Sequence, residues 1–224
     1  MKAETQFFCR TGKSKGVRIE VMADSMRVGK TTAVKVIGEG LRKSGKKVKE
    51  SYEDWQNNPY LKGSYIDPEK NFLESQKWFA KRKWEQVQET DDEMIIIQDV
   101  TPEMDYNYAL TNMKLGRMSK DNFLEYEKFF NQLNWKNIPV PNLIVYLAAS
   151  DEKLIERAMV SKREFEKVDE DYFIMMKKVN RRWLDKAKER MKILAVDTDK
   201  LDFAKNEKSK NKLVIMVIDK LKFD

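Results

Sequence analysis

Apolar positions along the chain fall into two spacings that alternate from end to end. Short apolar runs predict strands at Val17 to Met22, Lys47 to Glu50, Met94 to Gln98, Leu143 to Ala148 and Lys192 to Asp197. Between them, apolar residues recur three and four apart and predict helices. The first, Thr31 to Ser44, turns Ala33, Val34, Val36, Ile37 and Leu41 inward and stops at Gly45. A long one runs from Glu69 to about Gln88 with Phe72, Phe79, Ala80 and Val87 on one stripe, and Gln76 lies on that stripe too. Others cover Asp105 to Lys114, Lys120 to Asn134, a stretch beginning near Ser150-Asp151, Tyr172 to Arg190, and Asn211 to Leu221. Ser51 to Pro68 carries the loop signals Asn57-Asn58-Pro59 and Asp67-Pro68. Met94 to Gln98 is continuous, as expected of a central parallel strand covered on both faces. Strands alternating with helices imply an α/β chain, a five-stranded parallel sheet between helical layers. Ligands of such sheets bind beyond the carboxyl ends of the strands, which directs attention to the turn after Met22, to Glu50 and to Asp99.

Composition narrows the chemistry. The 224 residues suit one domain, with Met1 to Gly16 read as a flexible, basic lead-in and 17–224 as the folded unit. The only cysteine is Cys9, and histidine is absent, so histidine- and cysteine-ligated metal sites are excluded and any general base is a carboxylate, lysine or tyrosine. The net charge of +7 comes from lysines dispersed among acids, which favours a solvated surface or a phosphate pocket over a nucleic-acid track. No apolar run is long enough to span a membrane, and a reducing, cytoplasmic location is expected.

The turn after the first strand reads Ala23-Asp24-Ser25-Met26-Arg27-Val28-Gly29-Lys30-Thr31-Thr32. Its end is the second half of a P-loop, in which backbone N–H groups and a lysine wrap phosphate oxygens and a hydroxyl reaches Mg²⁺. Asp24 stands where the pattern wants its first glycine. Residues Ser25 to Thr32 are thus the expected ATP-binding loop, with Lys30 on the phosphates and Thr31 on the metal. Asp99, at a strand end, is placed either to complete the metal's shell or to cap a helix. Glu50 lies across the top of the sheet and is the expected base for an attacking hydroxyl. Gln76 is either a ligand-reading amide or the partner of a buried backbone group.

Several segments in order resemble the deoxynucleoside kinase family. ESYEDWQN is similar to the family's E-P-V-E-x-W-Q-N, SYIDPEK to Y-x-D-P-x-K, Asp99-Val100-Thr101 to [D/E]-R-S, PNLIVYLAASDEKLIER to the stretch leading into the lid, and VDTDKLDF to D-A-D-x-L-D-F. The resemblance covers most of Val17 to Phe203. It implies a P-loop NTPase three-layer α/β/α sandwich with a helical lid at about 157–170, and transfer of the γ-phosphate of Mg²⁺-ATP to the 5′-hydroxyl of a nucleoside or deoxynucleoside, with a purine or deoxycytidine favoured. It assigns Glu50 as base, Gln76 to the nucleobase edge, Trp55 as a wall for the base, and Tyr65 and Glu166 to the sugar 3′-hydroxyl. Asp105 and its cationic partner Lys83 would select the base. Arg157 and Arg163 would be lid cations, and a homodimer packed through helices including Glu69 to Gln88 is implied.

Three departures from that pattern stand out: Asp24 in the P-loop, Val100 where the family has an arginine near the reacting phosphate, and Ser161 at a lid position that is usually arginine. Arg27, inside the loop, is either a solvated residue or the replacement cation, since some thymidylate kinases place a catalytic arginine there. The alternatives are therefore a monophosphate kinase of that type and a weakened nucleotide-binding paralogue with a regulatory or structural role.

Overall fold

The computed structural model describes residues 10–161, 164, 166 and 168–222 of the chain. Its elements are β1 (Val17–Ala23), α1 (Lys30–Lys43), β2 (Val48–Ser51), α2 (Leu61–Ile66), α3 (Pro68–Val87), β3 (Ile95–Asp99), α4 (Pro102–Lys114), α5 (Lys120–Gln132), β4 (Leu143–Ala148), α6 (Asp151–Ser161), α7 (Glu170–Ala187), β5 (Ile193–Asp197) and α8 (Glu207–Leu221). The strands form one sheet in the order β2-β3-β1-β4-β5, and every pairing is parallel, as the alternating pattern predicts. Helices α1 and α8 pack together against the sheet, while α3, α4, α5 and α7 form a second packed group. One apolar cluster surrounds the sheet. Another, with Tyr106, Tyr126, Phe130 and Trp135, fills the space among α3, α4 and α5.

Helix boundaries differ from the expectation where caps, not apolar stripes, set them. Pro102 occupies the first turn of α4 and the Thr101 hydroxyl accepts from the Met104 N–H, so the helix starts three residues before Asp105. Asn206 caps α8 by accepting from the Ser209 N–H, so the helix starts at Glu207, four residues before the expected start at Asn211. Within Ser51–Pro68, expected to be loop, Leu61 is buried and anchors the short helix α2.

The described part of the lead-in is docked. Thr11 and Gly12 donate backbone hydrogen bonds to Lys136 and Ile138 (2.9 and 3.2 Å), and Arg10 is buried between two carboxylates. Its Nη1 and Nη2 donate to Glu20 of β1 at 2.7 and 3.0 Å, and its Nε and Nη2 donate to Glu103 of α4 at 3.1 and 2.5 Å. A polar, basic segment gives no hydrophobic signal of burial. What holds it is charge pairing with residues 10 and 93 positions away. Burial works against the Arg10 charge, but Glu103 and Glu20 outweigh it and the guanidinium holds its proton more tightly than an ordinary arginine.

Candidate active site

The carboxyl ends of the strands open onto a cleft of about 1440 Å³, a size that accommodates more than one small molecule. Its floor is the turn from Asp24 to Gly29. Arg27 and Gly29 adopt positive φ (62° and 107°), which curls the backbone so that α1 begins directly beneath the cleft and presents its N-terminal N–H groups there. Met26, Val28, Gly29, Lys30, Thr31 and Thr32 line this end, and the Phe203 ring packs beside Gly29. Ser25 lies beneath, buried, and supplies the carbonyl that accepts from the Lys30 ammonium at 3.4 Å. Burial lowers the Lys30 pKa from its usual value; Asp99 and Glu53 pull the other way, and a phosphate would do the same.

Thr31 and Asp99 meet as expected. The Thr31 hydroxyl donates to Asp99 Oδ2 at 2.7 Å, and Asp99 Oδ1 is buried with no hydrogen-bond partner. A hydroxyl beside a carboxylate oxygen with spare coordination suits a hard divalent cation. Among the described residues no group of three or more acidic or sulfur and imidazole ligands surrounds this point, so the residues present fit Mg²⁺ carried in on phosphates and touched by one or two side chains, not a protein cage.

Arg157, on α6, lines the cleft with its guanidinium donating to Thr198 Oγ1 (2.8 Å) and O (3.1 Å) and to the Val28 carbonyl (3.3 Å), so it ties the loop to the end of β5. Ser161 turns back to the Arg157 carbonyl. Arg163 lies outside the described residues.

The opposite wall comes from α2, α3, α4 and α7. Gln76 projects into the cleft between Phe72 and Phe79, one turn away on either side, with Trp55 nearby. Asp105 also lines it; its carboxyl is 3% exposed, Oδ2 has no hydrogen-bond partner, and burial raises its pKa well above the ordinary range despite Lys83. Lys83 itself is committed elsewhere, its ammonium donating to the Asp99 carbonyl at 2.7 Å, so it acts on Asp105 only through space. Tyr65 donates to Glu166 at 3.3 Å, and Glu166 forms an ion pair with Arg27. Tyr65, expected at the sugar, and Arg27, expected at the phosphates, thus converge on the Glu166 carboxylate.

Glu50 departs from its expected place. Its carboxylate lies against α1, ion-paired with Arg42 (2.8 Å) and accepting from the Tyr52 hydroxyl, so close to Gly38 that a Cβ there would sit 2.1 Å from Oε1. Glu50 shares its strand face with Val48, which packs into the core, and side-chain alternation along β2 sends both the same way. The carboxylate that lines the cleft here is Glu53, two residues beyond the strand, where alternation no longer governs direction. Its charge is felt by Lys30, Asp105, Tyr108 and Tyr172. The resemblance of ESYEDWQN pointed to Glu50, five residues before Trp55, and a motif does not show which side chain clears the sheet.

Known proteins share this arrangement of elements and motifs. The family model for deoxynucleoside kinases matches residues 22–221. The chain belongs to the deoxynucleoside kinase family. This deoxynucleoside kinase is 27% identical over 154 residues to the deoxyguanosine kinase of Dictyostelium discoideum, a match covering 66% of the chain and 52% of that enzyme. Against the deoxyguanosine kinase of Lactobacillus acidophilus it is 22% identical over 213 residues, 90% of each chain. Its fold is that of the deoxyadenosine kinase from M. mycoides solved with bound dATP, with a TM-score of 0.73 and 20% identity over 91% of this chain and 100% of that one.

Two departures of this kinase from the family pattern take shape. Val100 is fully buried at φ 72°, a conformation that costs a β-branched residue about 1–3 kcal/mol and marks the turn between Asp99 and Thr101 as one held in place by its surroundings. Asp24 turns away from the cleft, as binding of a triphosphate requires. Tyr108, Asn112, Arg117 and Tyr172 also line the cleft. Arg117 pairs with Asp169 and lies 5.2 Å over the Tyr172 ring. These four come from α4, from the turn after it and from α7, and only their tertiary convergence makes them a wall.

Proposed function

We propose that this kinase transfers the γ-phosphate of Mg²⁺-ATP to the 5′-hydroxyl of a purine deoxynucleoside. The observation that carries the reading is one cleft lined by Lys30, Thr31 and Asp99 together with Glu53, Gln76 and Asp105. Gln76 offers a donor and an acceptor to a base edge, Phe72, Phe79 and Trp55 offer apolar walls, and Tyr65 with Glu166 holds the sugar. The names of the relatives, deoxyguanosine and deoxyadenosine kinases, favour a purine. Glu53 accepts the proton of the 5′-hydroxyl as its oxygen bonds to the γ-phosphorus and the bridging bond to the β-phosphate breaks. Lys30 and the N–H groups of the loop hold the charge on the oxygens of the transferred group. Thr31 and Asp99 would hold Mg²⁺, which when bound would add further neutralisation of the triphosphate. A homodimer in the cytosol accompanies the reading on family grounds alone.

Arg27, an arginine of the loop that lines the cleft, completes the proposed machinery in place of the arginine absent at Val100. Arg27→Ala is expected to lower kcat roughly a hundredfold, with the KM for deoxynucleoside changing only a few-fold because Tyr65 still holds Glu166. Steady-state kinetics in both substrates checks this. An unchanged kcat would leave Arg27 as a partner of Glu166 and nothing more. The acceptor itself is tested by competition: with Mg²⁺-ATP and equimolar deoxyguanosine, deoxyadenosine, deoxycytidine and thymidine, the purine monophosphates are expected to form first, and thymidine monophosphate as the main product would refute the purine reading.

A further inference from the structure

Asp24 occupies the glycine position of the P-loop and is fully buried, yet it is not an unpaired carboxylate. Four donors reach it. Tyr146 Oη donates to Oδ1 at 2.9 Å and the Ala149 N–H to Oδ2 at 3.1 Å, while Arg181 clasps both oxygens through Nε and Nη2, each at 3.1 Å. The next residue back, Asn180, donates to the carbonyls of Ala23 and Asp24, both at 3.0 Å, and is itself oriented by Asn107 of α4 at 2.8 Å. Lys177, one turn earlier on α7, donates to the Ala149 carbonyl at 2.8 Å. The backbone that enters the loop is therefore bolted to α7 by consecutive residues of one helix.

We propose that Arg181 is a positioning residue for the phosphate donor: by clasping Asp24 it fixes the entrance of the P-loop to α7 and cancels the negative charge this chain places in a loop that holds a triphosphate. The inference rests on the ATP-dependent reading above and adds a residue that touches neither substrate. A glycine at this position needs no counter-ion; an aspartate beside the phosphate end does. The planar guanidinium meets a carboxylate in two parallel hydrogen bonds, which fixes direction as well as charge. The Arg181 guanidinium is half exposed, and its hydrogen bonds to Asp24 raise its pKa, so it stays charged whether or not nucleotide is present. The same helix carries Tyr172 and Phe173 on the cleft wall, nine and eight residues before Arg181, roughly 12–14 Å along the axis. One rigid element thus sets both the donor loop and part of the acceptor wall.

The test uses the intact protein with Mg²⁺ and a non-hydrolysable ATP analogue, AMP-PNP, in calorimetry, with deoxyguanosine titrated separately. Arg181→Ala is expected to weaken analogue binding about tenfold or more, the effect of leaving a buried charge uncancelled in the loop that would hold the phosphates, and to change deoxyguanosine affinity less than threefold. Arg181→Gln keeps a donor to Asp24 without the charge and is expected to lose as much, which covers an Arg181→Ala protein too unstable to titrate. The deciding arm is rescue: Asp24→Asn combined with Arg181→Ala is expected to regain analogue affinity to within about threefold of wild type. Failure of rescue, or wild-type analogue binding in both single variants, overturns the proposal and leaves Arg181 a structural anchor. A wild-type protein that binds deoxyguanosine but no analogue would overturn the ATP-dependent reading itself, a separate result.

Discussion

Glu53→Gln is expected to lower kcat roughly a thousandfold, the usual worth of a positioned general base, with deoxynucleoside affinity within a few-fold of wild type. Glu50→Gln is expected to change kcat less than about threefold and to cost ~1 kcal/mol of stability through its pair with Arg42, which is itself half exposed while Glu50 is mostly covered. The contrast comes from direction alone. Both glutamates lie near the carboxyl end of β2, but one packs against Gly38 of α1 and the other lines the cleft. Measuring kcat and the deoxynucleoside Kd for both variants separates them, and a reversed pattern would return the base to Glu50 and require the β2 end to rearrange on binding.

Arg10→Ala is expected to destabilise the fold by about 3–5 kcal/mol at neutral pH, because Glu20 and Glu103 would keep their burial and lose their cation. Urea unfolding gives the number, and its pH dependence gives the cause. Burial already pushes the Glu103 carboxyl above its ordinary value, and Arg10 is the largest influence holding it down. Without Arg10 the folded-state pKa rises further above the unfolded one, near 4.3. A carboxyl raised in this way favours folding below its unfolded pKa and loses that contribution as pH climbs through its folded pKa. The deficit of the variant is therefore expected to be smallest in mild acid and to grow toward neutrality. A deficit independent of pH would mean that lost packing of the lead-in, not orphaned carboxylates, is the cause.

Glu53 and Arg10 also mark where sequence reading stops. The strands were legible because β3 and β4 are covered on both faces and carry continuous apolar runs, Ile95 to Ile97 and Leu143 to Ala148, and the helix α1 because its inward residues repeat on one stripe. The positions of Lys30, Thr31 and Asp99 in one cleft were legible because a P-loop fixes its lysine and hydroxyl in sequence, and the end of a central parallel strand delivers its last residue to the ligand side of the sheet. That Glu53 and not Glu50 lines the cleft was hidden because it depends on which way the chain leaves an edge strand, whereas the motif spacing, a glutamate five residues before Trp55, pointed to Glu50. Arg10 was hidden because buried ion pairs leave no periodic trace. Asp24, a fault in the P-loop when seen alone, becomes intelligible only beside Arg181, 157 residues later. Lys83 and Asp105 were rightly placed near each other, but the orientation of the lysine toward the Asp99 carbonyl is a property of the packed turn around Val100.

The central claim is that one cleft brings a triphosphate and a deoxynucleoside together for direct transfer. It is tested most directly by incubating the protein with Mg²⁺-ATP and deoxyguanosine and monitoring the products by phosphorus NMR. The account predicts ADP and deoxyguanosine 5′-monophosphate in equal amounts, with no inorganic phosphate formed in step with them. Binding of both ligands without any nucleoside monophosphate would contradict it and mark the chain as a nucleotide-binding paralogue that has lost the reaction.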